Sequence, residues 1–204
     1  MLKARRSSFL RSVVMLWNRE RGGKLQGVVM FRVKGMLKES REYHEKLIGE
    51  VASRDIGAGI VLAAVYFEWC VRRSIVALGK SPVATLNAKL NSEILSFDKL
   101  LGLWKSEVSV EYAGRKIANL PDVFDLRKNK PVYGTLKLMW KDIDKARRKR
   151  NELVHGGHCA PLEKHGMKYV ALLIDAAHVL SELCENYNCP IFEVIPANRR
   201  RSGR

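Results

Sequence analysis

Hydrophobic residues recur at intervals of three and four along most of the chain from Lys38 onward, which is the spacing of one face of an α-helix. The longest apolar stretch runs from Asp55 to Leu78 and stops at Gly79. It is apolar on nearly every side, and a helix of that kind belongs in the middle of a bundle, because each of its faces needs an apolar partner. The pattern therefore predicts a helical domain built around this segment.

Four further segments show the same periodicity. They predict a helix from Lys38 to Ile48 or past Gly49, one or two helices within Thr85–Trp104, a basic helix over Thr135–His155 and a closing helix over Met167–Tyr187. Between Ser106 and Gly134 valine and tyrosine alternate with polar residues, and glycines and prolines follow, which predicts an inserted loop with or without a small hairpin. The predicted fold class is all-α: a helical bundle of about five to six helices with a loop or small hairpin insertion.

The two ends of the chain differ in composition from its body. We predict a basic N-terminal arm over residues 1–35, the helical domain over residues 36–195 and a basic disordered tail over residues 196–204. The arm can be poorly ordered or a short helix docked on the body, and its acid-poor composition is also that of a transit peptide. No small-residue cleavage site follows the apolar run Ser8–Trp17, which argues against a secretory signal.

Net charge narrows the class of partner. The chain has 204 residues, a formal charge of +16 and a pI near 9.9, and clustered Lys and Arg gain affinity for polyanions by releasing counterions. Nucleic acid is the partner that this balance favours, with an acidic membrane surface as the alternative. No apolar run reaches the ~18 residues of a membrane-spanning helix, and four scattered cysteines are typical of a protein of the reducing cytoplasm.

Candidate chemistry is concentrated where the basic helix is predicted to end. Arg150 and Asn151 are followed after three residues by His155, and Gly156 and Gly157 come next. Glycine readily takes the left-handed conformation that closes a helix, so His155 is expected at the last helical residue or beside it. Arg150 and His155 are five residues apart and would diverge by about 140° on a straight helix. Only fraying at the glycines or a second copy of the helix would bring both onto one phosphate.

The spacing Arg150-Asn151-x-x-x-His155 resembles the signature of the HEPN superfamily (higher eukaryotes and prokaryotes nucleotide-binding). The resemblance covers roughly residues 40 to 190. It implies an all-helical domain that forms a homodimer with two motifs in one cleft, and in many members a metal-independent endoribonuclease, found among toxins and antiviral effectors. Members that pair with a nucleotidyltransferase antitoxin often carry a tyrosine two residues after the histidine. Gly157 stands at that place here, so regulation through such a tyrosine is not expected.

RNA cleavage without a metal needs a base for the 2′-hydroxyl, an acid for the departing 5′-oxygen and positive charge beside the phosphorane. His155 suits the proton transfers, Arg150 the phosphate, and Asn151 the orientation of the imidazole or a ribose hydroxyl. A helix C-terminus favours the imidazolium form, which points His155 towards acid or phosphate-binding duty. The RNA-binding residues predicted on the outer face are Lys145, Arg147, Arg148 and Lys149.

Glu68 lies within the central apolar segment, so its carboxylate needs a partner. One alternative is an ion pair with Arg72, four residues on, and the other is a supporting role in which Glu68 orients an active-site Arg or His. His158, Cys159, Cys184 and Cys189 could together hold zinc, but no C-x-x-C pair is present and free thiols are favoured, so we expect neither a metal nor another cofactor.

Two functions from different classes follow. The first is a HEPN-type endoribonuclease that acts on RNA as a cytoplasmic toxin or antiviral effector, with an antitoxin or regulatory protein as a further partner and no membrane association. The second is a non-catalytic HEPN-like protein that binds RNA or a nucleotide or serves in assembly. No P-loop, dinucleotide fingerprint, G-x-S-x-G or H-E-x-x-H motif is present, which removes the enzyme classes that those motifs mark.

Overall fold

The central apolar helix organises the fold, as its composition predicts. A computed structural model describes residues 40–91, 96–112, 114–125, 138–155 and 162–195. Within these ranges there are seven α-helices and one two-stranded sheet. In chain order they are α1 (Arg41–Arg54), α2 (Ile56–Leu78), α3 (Val83–Asn91), α4 (Phe97–Glu107), β1 (Val110–Tyr112), β2 (Arg115–Ile117), α5 (Leu120–Asp125), α6 (Trp140–Val154) and α7 (Leu162–Glu185).

Helix α2 begins at a side-chain cap, where the carboxylate of Asp55 accepts a hydrogen bond from the backbone N–H of Ala58 at 3.0 Å. It packs against α1, α3, α4, α6 and most extensively α7. Its buried residues include Ile60, Phe67 and Ile75, none of which is exposed to solvent. The all-α bundle is thus confirmed, with a hydrophobic core centred on α2.

The segment Ser106–Gly134 is where the structure departs most from the predicted loop. The small hairpin is present: β1 and β2 pair antiparallel, with Glu111 opposite Lys116. Helix α4 extends into the segment as far as Glu107, and the short helix α5 follows the hairpin because Leu120, Val123 and Phe124 are buried there. Helix α5 raises the number of described helices to seven, against the five to six expected.

The predicted starts of two helices are wrong by five residues each. Helix α6 begins at Trp140 rather than Thr135, because the backbone of Met139 is extended (φ −117°, ψ 140°). Helix α7 begins five residues earlier than predicted, at Leu162 rather than Met167. The N-terminal arm (1–35), the tail (196–204) and the two glycines after His155 lie outside the described residues.

The loop after α2 is fixed by one buried carboxylate at the end of α4. Glu107 accepts hydrogen bonds from the backbone N–H and the hydroxyl of Ser81, both at 3.1 Å, and from Lys89 at 2.7 Å. Burial alone would raise the pKa of Glu107, but these hydrogen bonds and the charge of Lys89 outweigh it, so that its pKa lies below the ordinary value. The ionised carboxylate therefore joins α3 and α4 to this loop.

The last described residues are held against the aromatic part of the core. Arg73 on α2 donates hydrogen bonds to the carbonyl oxygens of Ile191 and Glu193, and the ring of Phe192 lies 5.2 Å from that of Trp69.

Among the described residues, no helix combines the length and the apolar composition that a bilayer-spanning segment requires.

Candidate active site

The predicted site residues lie on α6, whose inner side carries Ile143 and Ala146, both fully buried. The helix ends at Val154, and His155 is its C-cap, with its backbone N–H donating to the carbonyl oxygen of Asn151 at 3.0 Å. The prediction that His155 closes the helix is therefore confirmed. The side chains of Asn151 and His155 are both exposed.

Arg150 is half-buried, and it lies seven residues after Ile143, on the side of α6 that faces the core. Its Nη1 donates a hydrogen bond to Asn151 Oδ1 at 3.1 Å. Its Nε is buried, and no described residue accepts a hydrogen bond from it. A buried donor without a hydrogen-bond partner costs about 1–3 kcal/mol of folding stability. Packing, rather than hydrogen bonding, therefore keeps Arg150 Nε buried.

The imidazole of His155 makes no hydrogen bond or ion pair with any residue in the described ranges. Ideal helical spacing separates the directions of Arg150 and His155 by about 140°. Arg150 and Asn151 are thus brought into contact, whereas Arg150 and His155 do not share one side of the helix within a single protomer.

Three helix ends meet around the site. A β-carbon built on Gly166 of α7 would lie 2.2 Å from Ile56 Cγ1, so only glycine permits this approach of α7 to the start of α2. A β-carbon on Gly57 would lie 3.6 Å from a methyl group of Leu153, which places the end of α6 at the same point. Two large apolar side chains remain exposed here. They are Val154 at the end of α6 and Met167 near the start of α7, each 55% exposed.

The basic residues of α6 differ in whether they already form ion pairs with acidic residues. Arg147 donates two hydrogen bonds to Asp144, at 2.8 and 3.1 Å, and its guanidinium carbon lies 4.3 Å from the centre of the Phe97 ring. Arg148 also pairs with Asp144, at 2.7 Å, and Lys149 pairs with Glu152. Lys145 is exposed and has no ion pair among the described residues.

Asp144 was not singled out from the sequence, although it holds two of the four predicted RNA-binding residues. The signal that could have identified it is its spacing, since Arg147 and Arg148 follow it by three and four residues, and oppositely charged side chains at those intervals meet on a helix. The contact between Arg147 and Phe97 of α4 has no such local signal, because it depends on tertiary packing.

Glu68 takes part in the ion pair that the sequence offered as one alternative. Arg72 Nη2 lies 3.1 Å from Glu68 Oε1, and Arg72 Nη1 donates to the carbonyl oxygen of Leu90 on α3 at 3.2 Å. Glu68 lies eleven residues along α2 from Gly57, the residue beside Leu153, which is about 16 Å at ~1.5 Å per residue. The described contacts of Glu68 are with Arg72 and not with Arg150 or His155.

A metal site finds no support in the described ranges, which contain no cluster of three or more His, Cys, Asp or Glu residues arranged to hold an ion. Cys70, Cys184 and Cys189 are buried free thiols, and burial is the main cause that raises the pKa of Cys70 well above its ordinary value. His158 and Cys159, the other residues considered for zinc, lie outside the described residues.

Comparison of the chain with protein-family models, with curated proteins and with solved structures finds no match in any of the three. The resemblance to the HEPN superfamily therefore rests on the motif of α6 and its place in a helical bundle.

Proposed function

We propose that this protein is a metal-independent endoribonuclease of HEPN type. The observation that carries the proposal is the end of α6, where an exposed histidine follows a hydrogen-bonded Arg150–Asn151 pair by one helical turn. This arrangement presents to solvent the group that transfers protons most readily near neutral pH. It also places the permanent positive charge of Arg150 five residues before that histidine.

In the proposed reaction the 2′-oxygen of one nucleotide attacks the adjacent phosphorus atom. The P–O5′ bond breaks, and the products are a 2′,3′-cyclic phosphate and a free 5′-hydroxyl. One imidazole removes the proton from the 2′-hydroxyl, a protonated imidazole gives one to the 5′-oxygen, and the Arg150 guanidinium neutralises charge on the phosphorane. No water, metal or other co-reactant enters this step.

Two imidazoles in opposite protonation states are most simply supplied by two protomers. The divergence of Arg150 and His155 on α6 supports the same conclusion, because a second copy of the helix can present a histidine to the arginine of the first. Val154 and Met167 offer exposed apolar surface beside the motif, of the kind that a protein interface covers. The proposed active form is a homodimer.

A second function is favoured by one observation. Arg150 lies on the core-facing side of α6 and is half-buried, which fits a residue that supports the helix as well as one that contacts phosphate. In that case the chain would be a non-catalytic HEPN-like protein that binds RNA or a nucleotide, or acts in assembly, through its basic surface.

Incubation of total RNA with the purified protein in EDTA separates the two functions. The nuclease generates fragments with cyclic phosphate ends, and His155→Ala abolishes them. His165→Ala is the matched control, because His165 is the other exposed histidine among the described residues and lies on α7. Intact RNA after incubation with folded, dimeric wild type overturns the nuclease, and salt-sensitive binding in the same samples supports the second function.

The biological setting proposed for the nuclease is the cytoplasm, where it acts as a toxin or antiviral effector restrained by an antitoxin or regulatory protein. Induced expression in a bacterial host tests this. Growth arrest with the wild type and normal growth with His155→Ala are expected, and equal growth of both strains at equal protein levels contradicts a toxin.

A further inference from the structure

We infer that a single strand of RNA binds along the solvent-facing side of α6, with its phosphates on Lys141, Lys145 and Arg148, and that this path leads to His155. The inference rests on the proposed function and deepens it, because it assigns the surface that receives the substrate and the form in which the substrate is received.

The three cations form one row. Lys141, Lys145 and Arg148 are separated by four and three residues, and all three are exposed. At 3.6 residues per turn, these side chains and that of His155 fall within an arc of about 80°. The row from Lys141 to His155 extends about 21 Å at ~1.5 Å per residue, so bound phosphates would be led along the helix to the imidazole.

The charges of this row remain available to a ligand. Lys141 and Lys145 make no ion pair or hydrogen bond with any residue in the described ranges. Arg148 contacts Asp144 through one nitrogen, and its side chain is 71% exposed, so its other donors face solvent. The acidic residue on the same side, Glu152, is paired with Lys149.

The remaining cations of α6 lie outside this row. Arg147 is 15% exposed, bonded to Asp144 and stacked on Phe97. Arg150 lies on the opposite, core-facing side of the helix, so it is not part of the row, and its proposed contact is with the scissile phosphate. The row therefore differs from the set predicted from sequence, because it adds Lys141 and leaves out Arg147 and Lys149.

A nucleic acid strand fits the row better than a membrane does. A helix that lies on a bilayer inserts an apolar face between the lipids. Ile143 and Ala146 of α6 are instead buried in the core, and the exposed Val154 lies about 140° from Lys141 around the helix. A single line of charges also matches one phosphate backbone. In a duplex, the deep and narrow major groove of A-form RNA does not admit side chains.

The test measures binding of a labelled twelve-nucleotide oligouridine by fluorescence anisotropy at several salt concentrations. EDTA and the His155→Ala background prevent cleavage during the measurement. Lys141→Gln/Lys145→Gln is compared with Lys46→Gln/Lys80→Gln, which removes the same charge from exposed positions on α1 and after α2. We expect the first pair to weaken binding by about ten- to thirtyfold near 0.1 M salt. The slope of log K against log salt concentration should also become less steep by about 1.4, because each lost phosphate contact on a single strand lowers it by ~0.7. The control pair is expected to leave the slope unchanged.

Equal weakening by the two pairs overturns the path, because net charge would then explain binding. Equal affinity for a twelve-base-pair RNA duplex with the same lysine dependence overturns the single strand. Binding to phosphatidylserine vesicles with that dependence assigns the row to a membrane and overturns RNA.

Failure of the path and failure of the nuclease have different signatures. RNA binding that depends on Lys141 and Lys145, in a wild type that does not cleave RNA, would support the proposed path and overturn the nuclease. RNA cleavage by Lys141→Gln/Lys145→Gln with the kcat/KM of the wild type would support the nuclease and overturn the proposed path.

Discussion

Arg150 Nη1 donates a hydrogen bond to Asn151 Oδ1 at 3.1 Å, which joins the two adjacent residues of the motif. Arg150 Nε is buried without an acceptor among the described residues, so its guanidinium is only partly satisfied by the fold. The imidazole of His155, one turn further on, is exposed. A buried donor without an acceptor in the fold is a position at which a ligand could complete the hydrogen bonds. The proposed function and the stability of the fold therefore make different demands on Arg150, which can be tested separately.

Replacement of Arg150 by methionine tests that separation. Methionine fills similar apolar space and removes a buried donor that has no described acceptor, so the free energy of unfolding should change by less than about 1 kcal/mol. RNA cleavage should fall by a factor of about 100 or more, as when one stabilising donor is removed from an active site. Urea denaturation and initial cleavage rates measure the two effects.

Arg150→Lys serves as the control, because it keeps the charge but loses the two parallel donors, and an intermediate rate is expected. A structural arginine would give the reverse result: a loss of more than about 2 kcal/mol in unfolding free energy for Arg150→Met, with cleavage reduced only in proportion to the unfolded fraction.

If RNA binds along α6 as proposed, Asp144 competes with its phosphates for Arg148, so Asp144→Asn should strengthen RNA binding. One additional phosphate contact should raise the RNA affinity about fivefold near 0.1 M salt, because each contact contributes ~0.7 to the slope of log K against log salt concentration. Asp142→Asn is the matched control, since it removes the same charge from the first turn of the same helix. Equal affinities of the two variants would show that Asp144 does not withhold Arg148 from RNA.

Glu68 should prove structural rather than catalytic. Glu68→Gln weakens a half-buried pair with Arg72, and we expect a loss of about 0.5–1 kcal/mol in unfolding free energy with an unchanged cleavage rate. A double-mutant cycle with Arg72→Gln measures the coupling of the pair. A drop in kcat of Glu68→Gln under conditions where the variant is fully folded would restore the supporting role in the active site.

Glu107 should govern part of the acid sensitivity of the fold. Its folded-state pKa lies below the ordinary value of about 4.5, so its contribution is fully present above that value and is lost as the pH falls through the folded pKa. Glu107→Gln should lower the unfolding free energy by about 1–2 kcal/mol at pH 7 and flatten its decline below about pH 4.5. Urea denaturation from pH 7 to pH 3 measures this, and parallel curves for variant and wild type would contradict it.

The features that could be predicted from sequence are those set by local patterns. Helix α2 was identifiable because its apolar residues surround the helix. The C-cap position of His155 followed from the glycines after it. In each case residues close together in the chain determine the structure.

The features that were missed depend on tertiary contacts. The start of α6 was placed at Thr135 because leucines continue the helical spacing, whereas the backbone at Met139 is extended. Helix α5 is too short for periodicity to show and is buried through long-range packing. The direction of Arg150 towards the core follows from its register with Ile143, but only the packing of α6 shows that this register is the inner one.

In the proposed nuclease, two copies of this chain form one site in which both His155 imidazoles act, and subunit mixing tests whether both are needed. Wild type at a fixed concentration is allowed to exchange subunits with His155→Ala, and initial rates of cyclic phosphate formation are recorded in EDTA. If both imidazoles are required, an equal amount of the variant should reduce the rate to about one half and a tenfold excess to about one tenth, because wild-type subunits are captured in inactive mixed dimers. A rate that is independent of added His155→Ala, with exchange verified by a fluorescence label, would contradict a site shared by two subunits.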